Sequence, residues 1–522
     1  MKVVSSKQMK CIEQEAINSC ISQYVLIENA GLSIAKTVCS RLNSSHKKSV
    51  LSLVGPGNNG GDGLVASRIL HKWHIPVVIY LATNSTNCNE KYQQCIDSNI
   101  HVINASSDFG QKILHQEILN AGIILDAIFG AGSSQRIDDG LYAILTRINA
   151  AKQKSPKAFQ ILSIDMPSGI DPDDGSIASA ALSADVTLAL GAPKLGLFRL
   201  PGATNIGKLE KLQIGIPEHL FDNVPIRLID KSIVQKHLPA RPLHSSKHSF
   251  GKILIIAGSP EYMGAARLAT LAAYRTGSGL VTLATPRSVY KLLAPTLPEA
   301  TYQPLPESKS GRINKESIPL IQSIIHRYDA VLIGCGLGFD KSTTGFIKGL
   351  ICNTNMTLPP TVLDADGLNC IATIPTWWKH VNNPMVLTPH HREMMRLTRE
   401  NDNFDPLDIA SKYSQAWNQT VALKGSISII AGPKGYCTIN AHPNPCLSTA
   451  GTGDILAGII TSFLGQQLDP EIAALIGVYI HSKAAEEISN TLGDRGMLAG
   501  DLIDQIPKAI TAIRGDIGQD IV

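Results

Sequence analysis

The sequence predicts an α/β protein of two domains, the first built on a doubly wound parallel sheet. Three observations predict it. A chain of 522 residues exceeds the roughly 100 to 250 that one hydrophobic core supports. Short β-branched runs alternate with helical patterns along most of its length. The alternation loosens once, between about Phe221 and Phe250, where DNVPIRLIDKSIVQKHLPARPLHSSKHSF carries three prolines and a Ser/His/Lys cluster. The boundary is placed near Asn223, giving domains of residues 1–222 and 223–522.

In the first domain the runs are SVLSLV, ending at Val54, then IPVVIYLAT, GIILDAIFG, FQILSID and ADVTLALG. Such runs suit strands that helices cover on both faces, and ligand sites of these sheets lie beyond the strands' C-terminal ends. After the boundary come KILIIAGS, LVTLATP, AVLIGCG, TVLDADG, PMVLTPH, TVALKG and SISIIAG, each ending in polar or glycine residues. The halves share a style but no repeated motif, so two different folds are expected and not a duplication.

Composition narrows the function classes. Hydrophobic residues at 44% and charged residues at 17% suit compact domains and argue against long disorder. The net charge of +4 arises from 47 basic and 43 acidic residues without Lys/Arg blocks, so neither nucleic acid nor a membrane surface is the expected partner. No run of 18 apolar residues occurs, and MKVVSSKQMKCIEQEA has no apolar core, so neither a membrane span nor a signal peptide is read and a cytoplasmic location is expected. The ten cysteines, Cys11, Cys20, Cys39, Cys88, Cys95, Cys335, Cys352, Cys370, Cys437 and Cys446, form no CxxC pair and have no His at zinc-finger spacing. They are read as reduced thiols without chemistry.

VGPGNNGGDG, Val54 to Gly63, follows a strand and precedes the helical segment LVASRILHKW. Gly55, Gly57 and Gly60 fit G-x-G-x-x-G, the dinucleotide-binding turn of a Rossmann-like sheet. That turn expects an acid at the next strand's end to hold ribose hydroxyls, whereas PVVIYLAT ends in Thr83 and Asn84. What remains is a loop that lets backbone approach closely, a helix start suited to phosphate, and polar Asn58, Asn59 and Asp62. Two more strand ends carry Asp126, in LDAIFGAGSSQR, and Asp165, in SIDMPSGIDPDDG. A lone strand-end Asp is as well explained by helix capping or a turn, but three such loops in one sheet favour a site. Asp165, beside a Pro-Ser-Gly turn, is the best general base. Asn59, Asp126 and Ser168 are hard oxygen donors for a monovalent or divalent cation.

PGNNGGDG, LIENAG at Leu26 to Gly31, DAIFGAG, DMPSGID and TLALGAPKLGL together resemble the NAD(P)H-hydrate epimerase family over nearly the whole first domain. The resemblance implies that Asn58, Asn59, Gly60, Gly61 and Asp62, with Gly130, Ala131, Gly132, Ser133, Ser134, Gln135 and Arg136, contact the hydrated dinucleotide. It also implies that Asp165 works at the reacting centre and that Asn59, Asp126 and Ser168 bind potassium. The dinucleotide would be substrate and not hydride carrier, interconverted between R and S at C6, which explains the missing ribose acid.

In the second domain, STAGTGDILAGIITSFLG, Ser448 to Gly465, puts glycines and an acid at the start of an apolar helix. Amides from Gly451 to Gly453 suit a phosphoryl group and Asp454 can take a proton from an attacking hydroxyl, although a capping Asp after a turn would look the same. KGSISII, from Lys424, offers an ammonium and amides to a nucleotide. Asp364 and Asp366 in VLDADGL could reach a metal or phosphates, or one could cap the next helix. His390, in LTPHHREM, stands where a neutral imidazole could meet a ligand or merely bond its loop.

SPEYMGAARLATLAAYRTGSGLVTLATP, GCGLG, LDADGL, LTPHHREM, KGSIS and AGTGD, in this order, resemble the NAD(P)H-hydrate dehydratase family, whose fold is ribokinase-like. The resemblance implies that Ala265, Gly338 and His390 meet the hydrated cofactor, that Lys424, Gly425, Ser426, Ile427, Ser428 and Gly453 meet the adenine nucleotide, and that Asp454 is the base, also in contact with substrate. Ser428 stands where the family commonly has Thr, which keeps the hydroxyl. The implied chemistry phosphorylates the C6 hydroxyl and then eliminates phosphate. ADP, giving AMP, is expected because the fusion looks bacterial; relatives use ATP, and magnesium would accompany either. A homo-oligomer is expected. Two other readings stay open: a ribokinase-like small-molecule kinase, against which the fused first domain weighs, and a first domain that only binds, against which Asn58, Asn59, Asp62, Asp126 and Asp165 weigh.

Overall fold

The computed structural model describes residues 1–43, 47–83, 89–132, 137–352 and 356–515, which divide into two compact units, Met1–Val224 and Pro225–Val522.

The first unit opens with β1 (Lys2–Val3), α1 (Ser6–Asn18) and α2 (Gln23–Leu42). Ser5 caps α1 in a reciprocal box with Gln8, and Ser22 caps α2, so each helix starts where a hydroxyl satisfies its first amides. The sheet strands follow: β2 (Val50–Val54), β3 (Val77–Leu81), β4 (His101–Asn104), β5 (Ile123–Ala127), β6 (Gln160–Ile164), β7 (Val186–Leu190) and β8 (Lys208–Leu212). They are joined through α3 (Asn58–Lys72), α4 (Asn89–Asp97), α5 (Lys112–Asn120) and α6 (Asp139–Lys154). All pairs are parallel, in the order β4-β3-β2-β5-β6-β7-β8. Side chains of α2 and α3 bury one face of the sheet; those of α5 and α6 bury the other.

The strand order reverses between β2 and β5, so the connections that leave them go to opposite faces of the sheet, and a crevice opens beyond the closely packed first residues of their loops. Backbone meets backbone there. A Cβ on Gly55 would lie 2.0 Å from the Ile128 carbonyl oxygen, and one on Gly60 would lie 2.1 Å from that of Gly55. Of the seven strands of this sheet, the two absent from the sequence reading, β4 and β8, stand at its edges, where HVIN and KLEKL are half exposed and lack an apolar run.

The second unit contains β9 (Ile226–Leu228), α7 (Lys231–His237), β10 (Lys252–Ile256), α8 (Met263–Thr276), β11 (Leu280–Pro286), α9 (Arg287–Leu293), β12 (Thr301–Leu305), α10 (Ile318–Ile324), β13 (Ala330–Ile333), α11 (Lys341–Ile351), β14 (Thr361–Leu363), α12 (Asp366–Ile371), β15 (Met385–Leu387), α13 (His391–Thr398), α14 (Pro406–Trp417), β16 (Thr420–Leu423), β17 (Ser428–Ala431), β18 (Cys437–Asn440), α15 (Thr452–Gly465), α16 (Pro470–Leu492) and α17 (Ala499–Arg514). Its strands run β9-β18-β17-β16-β15-β14-β13-β10-β11-β12. The pairs from β12 to β16 are parallel, whereas β17 is antiparallel to both β16 and β18, because the short connection Lys424–Ile427 permits a hairpin but no crossover. Strand β9 and helix α7 lie in the segment whose pattern loosens in the sequence.

Helix α15 is buried continuously from Ile455 to Gly465 and packs against α8 and α16. Its Gly458 allows close approach: a Cβ would lie 2.3 Å from the Ala269 carbonyl oxygen. Nine cysteines are free thiols, Cys88 lying outside the described residues, and no described helix is long and apolar enough to cross a membrane.

Two candidate active sites

In the first unit, Asp165 follows β6 with a φ of 63°, a left-handed conformation costly for a non-glycine residue. Neighbouring loops hold it there. Its amide donates to the Leu188 carbonyl at 2.8 Å, while its Oδ1 accepts from the Leu190 amide at 3.3 Å and its Oδ2 from the Ala131 amide at 3.2 Å. Lys194 also donates to Oδ1, and its ammonium reaches the Leu190 carbonyl at 3.2 Å. Lys194 is only 2% exposed, so Asp165 and Lys194 form a buried ion pair. The Val4 amide bonds the Pro193 carbonyl and the Leu195 amide bonds Val4, which pins the lysine's backbone on both sides.

The pair faces a cavity of about 380 Å³ bounded by α1, α2, the start of α3 and the Gly130–Gly132 loop. Asp62 enters from α3 and Glu13 from α1. Burial, reinforced by the Asp165 and Glu13 carboxylates, holds the Asp62 carboxyl well above the usual carboxylate range. Glu13 is also pushed up by burial, with Lys194 opposing. Asn58, Asn59, Gly60, Gly61 and Asp62 form the first turns of α3, whose amide end opens here.

Asn59, Asp126 and Ser168 are joined in one buried network. Asn59 Nδ2 donates to the Phe129 carbonyl at 2.8 Å, and the Phe129 amide donates to Ser168 Oγ at 3.1 Å. Ser168 Oγ donates to Asp126 Oδ1 at 2.6 Å, while the Ser168 amide and Ser163 Oγ reach Oδ2 at 2.9 and 2.8 Å. Burial raises the Asp126 carboxyl against these hydrogen bonds, and among the described residues no Lys, Arg or His side chain forms a salt bridge with it. Gly130, Ala131 and Gly132 line the cavity; Ser133, Ser134, Gln135 and Arg136 lie outside the described residues.

In the second unit, Asp454 sits in the first turn of α15, after Gly451 in a left-handed cap. Burial, with Asp364 adding, pushes its carboxyl up to about 6 against the opposing pull of the Cys335 thiol and Lys424. Lys424 Nζ lies 2.7 Å from Asp364 Oδ1 and 3.9 Å from Glu393 Oε2. The Lys424 ammonium thus serves this acidic cluster, while the following Gly425 and Ser426 are exposed and Ser428 Oγ bonds the Gly425 carbonyl at 3.4 Å. Gly453 lies against the same cluster: a Cβ there would stand 3.4 Å from Lys424 Nζ. Cys335, Asp364 and Asp454 offer ligand atoms within 4.8 Å of one another, and burial with the two carboxylates holds the thiol well above its usual range.

His390 caps α13, its Nδ1 accepting from the Arg392 and Glu393 amides at 3.1 and 3.3 Å, and its amide donates to Glu393 Oε2 at 2.7 Å. Burial, then Lys424, lowers its imidazole pKa and keeps it neutral. Lys424 and His390 are bridged as parallel strand residues, which brings them to one edge of the site. Asp366 Oδ2 accepts from the Gly338 amide at 2.8 Å, and Ala265 packs within a would-be 2.8 Å of a Cβ on Gly336. Asp366 thus shapes the Gly338 loop, and the cap preceding α12 is Ala365.

Sequence reading missed Glu13, Lys194, Cys335 and Glu393. The signal for Glu393 was present, since H-x-x-E at 390–393 has the spacing of a capping box. Lys194 stood in GAPKLGL with no local sign of its partner 29 residues away.

The family model described as NAD(P)H-hydrate dehydratase matches residues 253–508, and that of the YjeF-related protein N-terminus matches residues 23–196. The bifunctional NAD(P)H-hydrate repair enzyme of Moorella thermoacetica is 33% identical over 99% of this chain and 98% of its own length. That of Thermofilum pendens is 32% identical over 99% and 97%. Among solved structures, the ADP/ATP-dependent NAD(P)H-hydrate dehydratase from Bacillus subtilis, co-crystallised with ATP and Mg2+, is 30% identical and covers 55% of this chain and 98% of its own, with a TM-score of 0.48. A ribokinase-like superfamily protein from Enterococcus faecalis is 26% identical over 55% and 96%, with a TM-score of 0.49. By its likeness to relatives over its whole length, this chain belongs to the bifunctional NAD(P)H-hydrate repair enzymes.

Proposed function

We propose that the chain restores hydrated NADH and NADPH, the first unit interconverting the R and S hydrates at C6 and the second dehydrating the S hydrate with ADP. The observation that carries the second step is Asp454, a carboxylate with its pKa raised to about 6 at a helix start beside Lys424 and Asp364. It is ionised at neutral pH yet basic enough to take the proton of the C6 hydroxyl as that oxygen attacks the terminal phosphorus of ADP. AMP leaves. Phosphate then departs from C6 and a proton from C5, giving the C5–C6 double bond, and water's poor leaving ability no longer limits the reaction. Magnesium would come with the nucleotide and offset its phosphate charge.

For inversion at C6, the carbon must become planar. The ring nitrogen expels the hydroxyl as an acid protonates it, and water returns to the other face as a base removes its proton. Asp62, its carboxyl raised by burial and its acidic neighbours, suits the acid; Asp165, paired with Lys194 and aimed into the same cavity, suits the base. Potassium suits the network of Asn59, Asp126 and Ser168, a set of hard oxygens around a buried carboxylate, and would supply the positive charge. A cytoplasmic homo-oligomer belongs to the same proposal.

Product analysis tests it. With mixed hydrates and ADP, dihydropyridine absorbance should recover as AMP and phosphate form in equal amounts. Consumption of ATP alone, with ADP accumulating, would remove the ADP assignment; phosphorylation of a different small molecule without recovery would favour the kinase reading.

A further inference from the structure

The cavity at Asp165 has room for one half of a dinucleotide: about 380 Å³ is near the lower end for a small-ligand site, and its walls carry the groups that act on the hydrated ring. Across the crevice between β2 and β5 lies a second, larger hollow of about 1430 Å³, lined from the α5 and α6 side of the sheet. The two hollows share two loops. Gly57 and Gly130 line the cavity, while their chain neighbours Pro56 and Phe129 line the larger groove. A ligand running over the start of α3 passes from one to the other, with its phosphates at the helix's positive end.

Resting on the epimerase reading of the first unit, we infer that this groove is the subsite for the adenosine half of the hydrated dinucleotide. Its walls carry Phe109, 86% exposed, and Tyr142, 47% exposed, two aromatic surfaces suited to stacking on a purine. Arg147 and Lys154 add positive charge from α6. Arg147 also holds the Phe109 turn in place, its Nε bonding Gln111 at 2.8 Å and its Nη2 the Gly110 carbonyl at 3.2 Å. Thr83, after β3, lines the groove where a Rossmann sheet holds the adenosine ribose, and its Oγ1 is buried without a hydrogen-bond partner among the described residues. A carboxylate in that place would repel a 2′-phosphate. A hydroxyl there accepts NADH and NADPH hydrates alike.

The test uses the full chain and three substrates: hydrated NADH, hydrated NADPH, and hydrated reduced nicotinamide mononucleotide, which lacks the adenosine half. In Phe109→Ala/Tyr142→Ala the epimerase KM for both dinucleotides should rise about 10-fold, the loss expected of a stacked base. Its kinetics with the mononucleotide should stay those of the wild type. Equal losses with the mononucleotide, or none with either dinucleotide, would overturn the assignment. Photolabelling with the 8-azidoadenine form of hydrated NADPH locates the base without turnover: label in the peptides that carry Phe109 or Tyr142 to Arg147 supports the subsite, and its absence from them, or label confined to the Gly130–Gly132 loop, overturns it. A wild type that fails to interconvert R and S would sink the epimerase reading instead, and the label would still decide the groove.

Discussion

Lys424 Nζ stands 2.7 Å from Asp364 Oδ1, on a strand end that also faces Asp454, so one half-buried ammonium balances a pair of acids of which only one is free to act. Asp364 is committed to the lysine. Asp454, raised by burial and by Asp364, is left to exchange a proton. Division of labour between neighbouring carboxylates in this way is a general means of setting a base near its working pH.

Dehydration should therefore fall as Asp454 is protonated. The base works ionised, so kcat/KM for the S hydrate should be flat above about pH 6 and decline below it. Asp454→Asn should cost roughly 100-fold or more in rate while leaving ADP binding nearly unchanged. Stopped-flow absorbance across a pH series checks both, and near wild-type turnover by the variant would remove Asp454 from the role of base.

Lys194→Met should abolish epimerisation and destabilise the first unit, since it strands the buried Asp165 carboxylate. Breaking a buried pair on one side costs about 3–5 kcal/mol. Adding Asp165→Asn to that variant should restore much of the stability but no activity, because the charge to be balanced is gone along with the base. Denaturant melts followed in both variants measure the first effect, and R-to-S interconversion measures the second.

Gly55→Ala should disturb the crevice while sparing the second unit, because the new methyl would stand 2.0 Å from the Ile128 carbonyl oxygen and force the loops after β2 and β5 apart. The expected cost is about 1–3 kcal/mol in stability. Epimerisation should drop and dehydration of the S hydrate should not. Unchanged epimerisation would mean that loop packing is not what positions the site.

The α/β class, the strand-end loops and the acids Asp126, Asp165 and Asp454 could be read from the sequence because Asp126 and Asp165 close apolar runs, and Asp454 opens one behind a Gly-Thr-Gly turn. The rest could not, for identifiable reasons. Lys194 and Asp165 meet only when β7 lies beside β6 and the chain returns to Val4. Glu13 reaches the cavity from a helix whose sequence shows only an amphipathic pattern. Strands β4 and β8 lack continuous apolar runs because they are half-exposed edge strands, and β18, though buried, spells CTIN, with Thr438 and Asn440 interrupting the apolar pattern. Cys335 was set aside with the other thiols, yet it lies between Asp364 and Asp454, where its burial is part of the setting of the base.

The most direct test of two separate chemistries on one chain is repair of a mixed-epimer sample by Asp165→Asn with ADP present, followed by absorbance to completion. Mutations in units that act independently should not couple. The variant should restore the S fraction at the wild-type rate and then stall on the R fraction beyond its slow spontaneous interconversion, and a separately added active epimerase should restart it. Completion at the wild-type rate without that addition would contradict Asp165 as the epimerising base, and a stall that added epimerase cannot relieve would contradict the independence of the two sites.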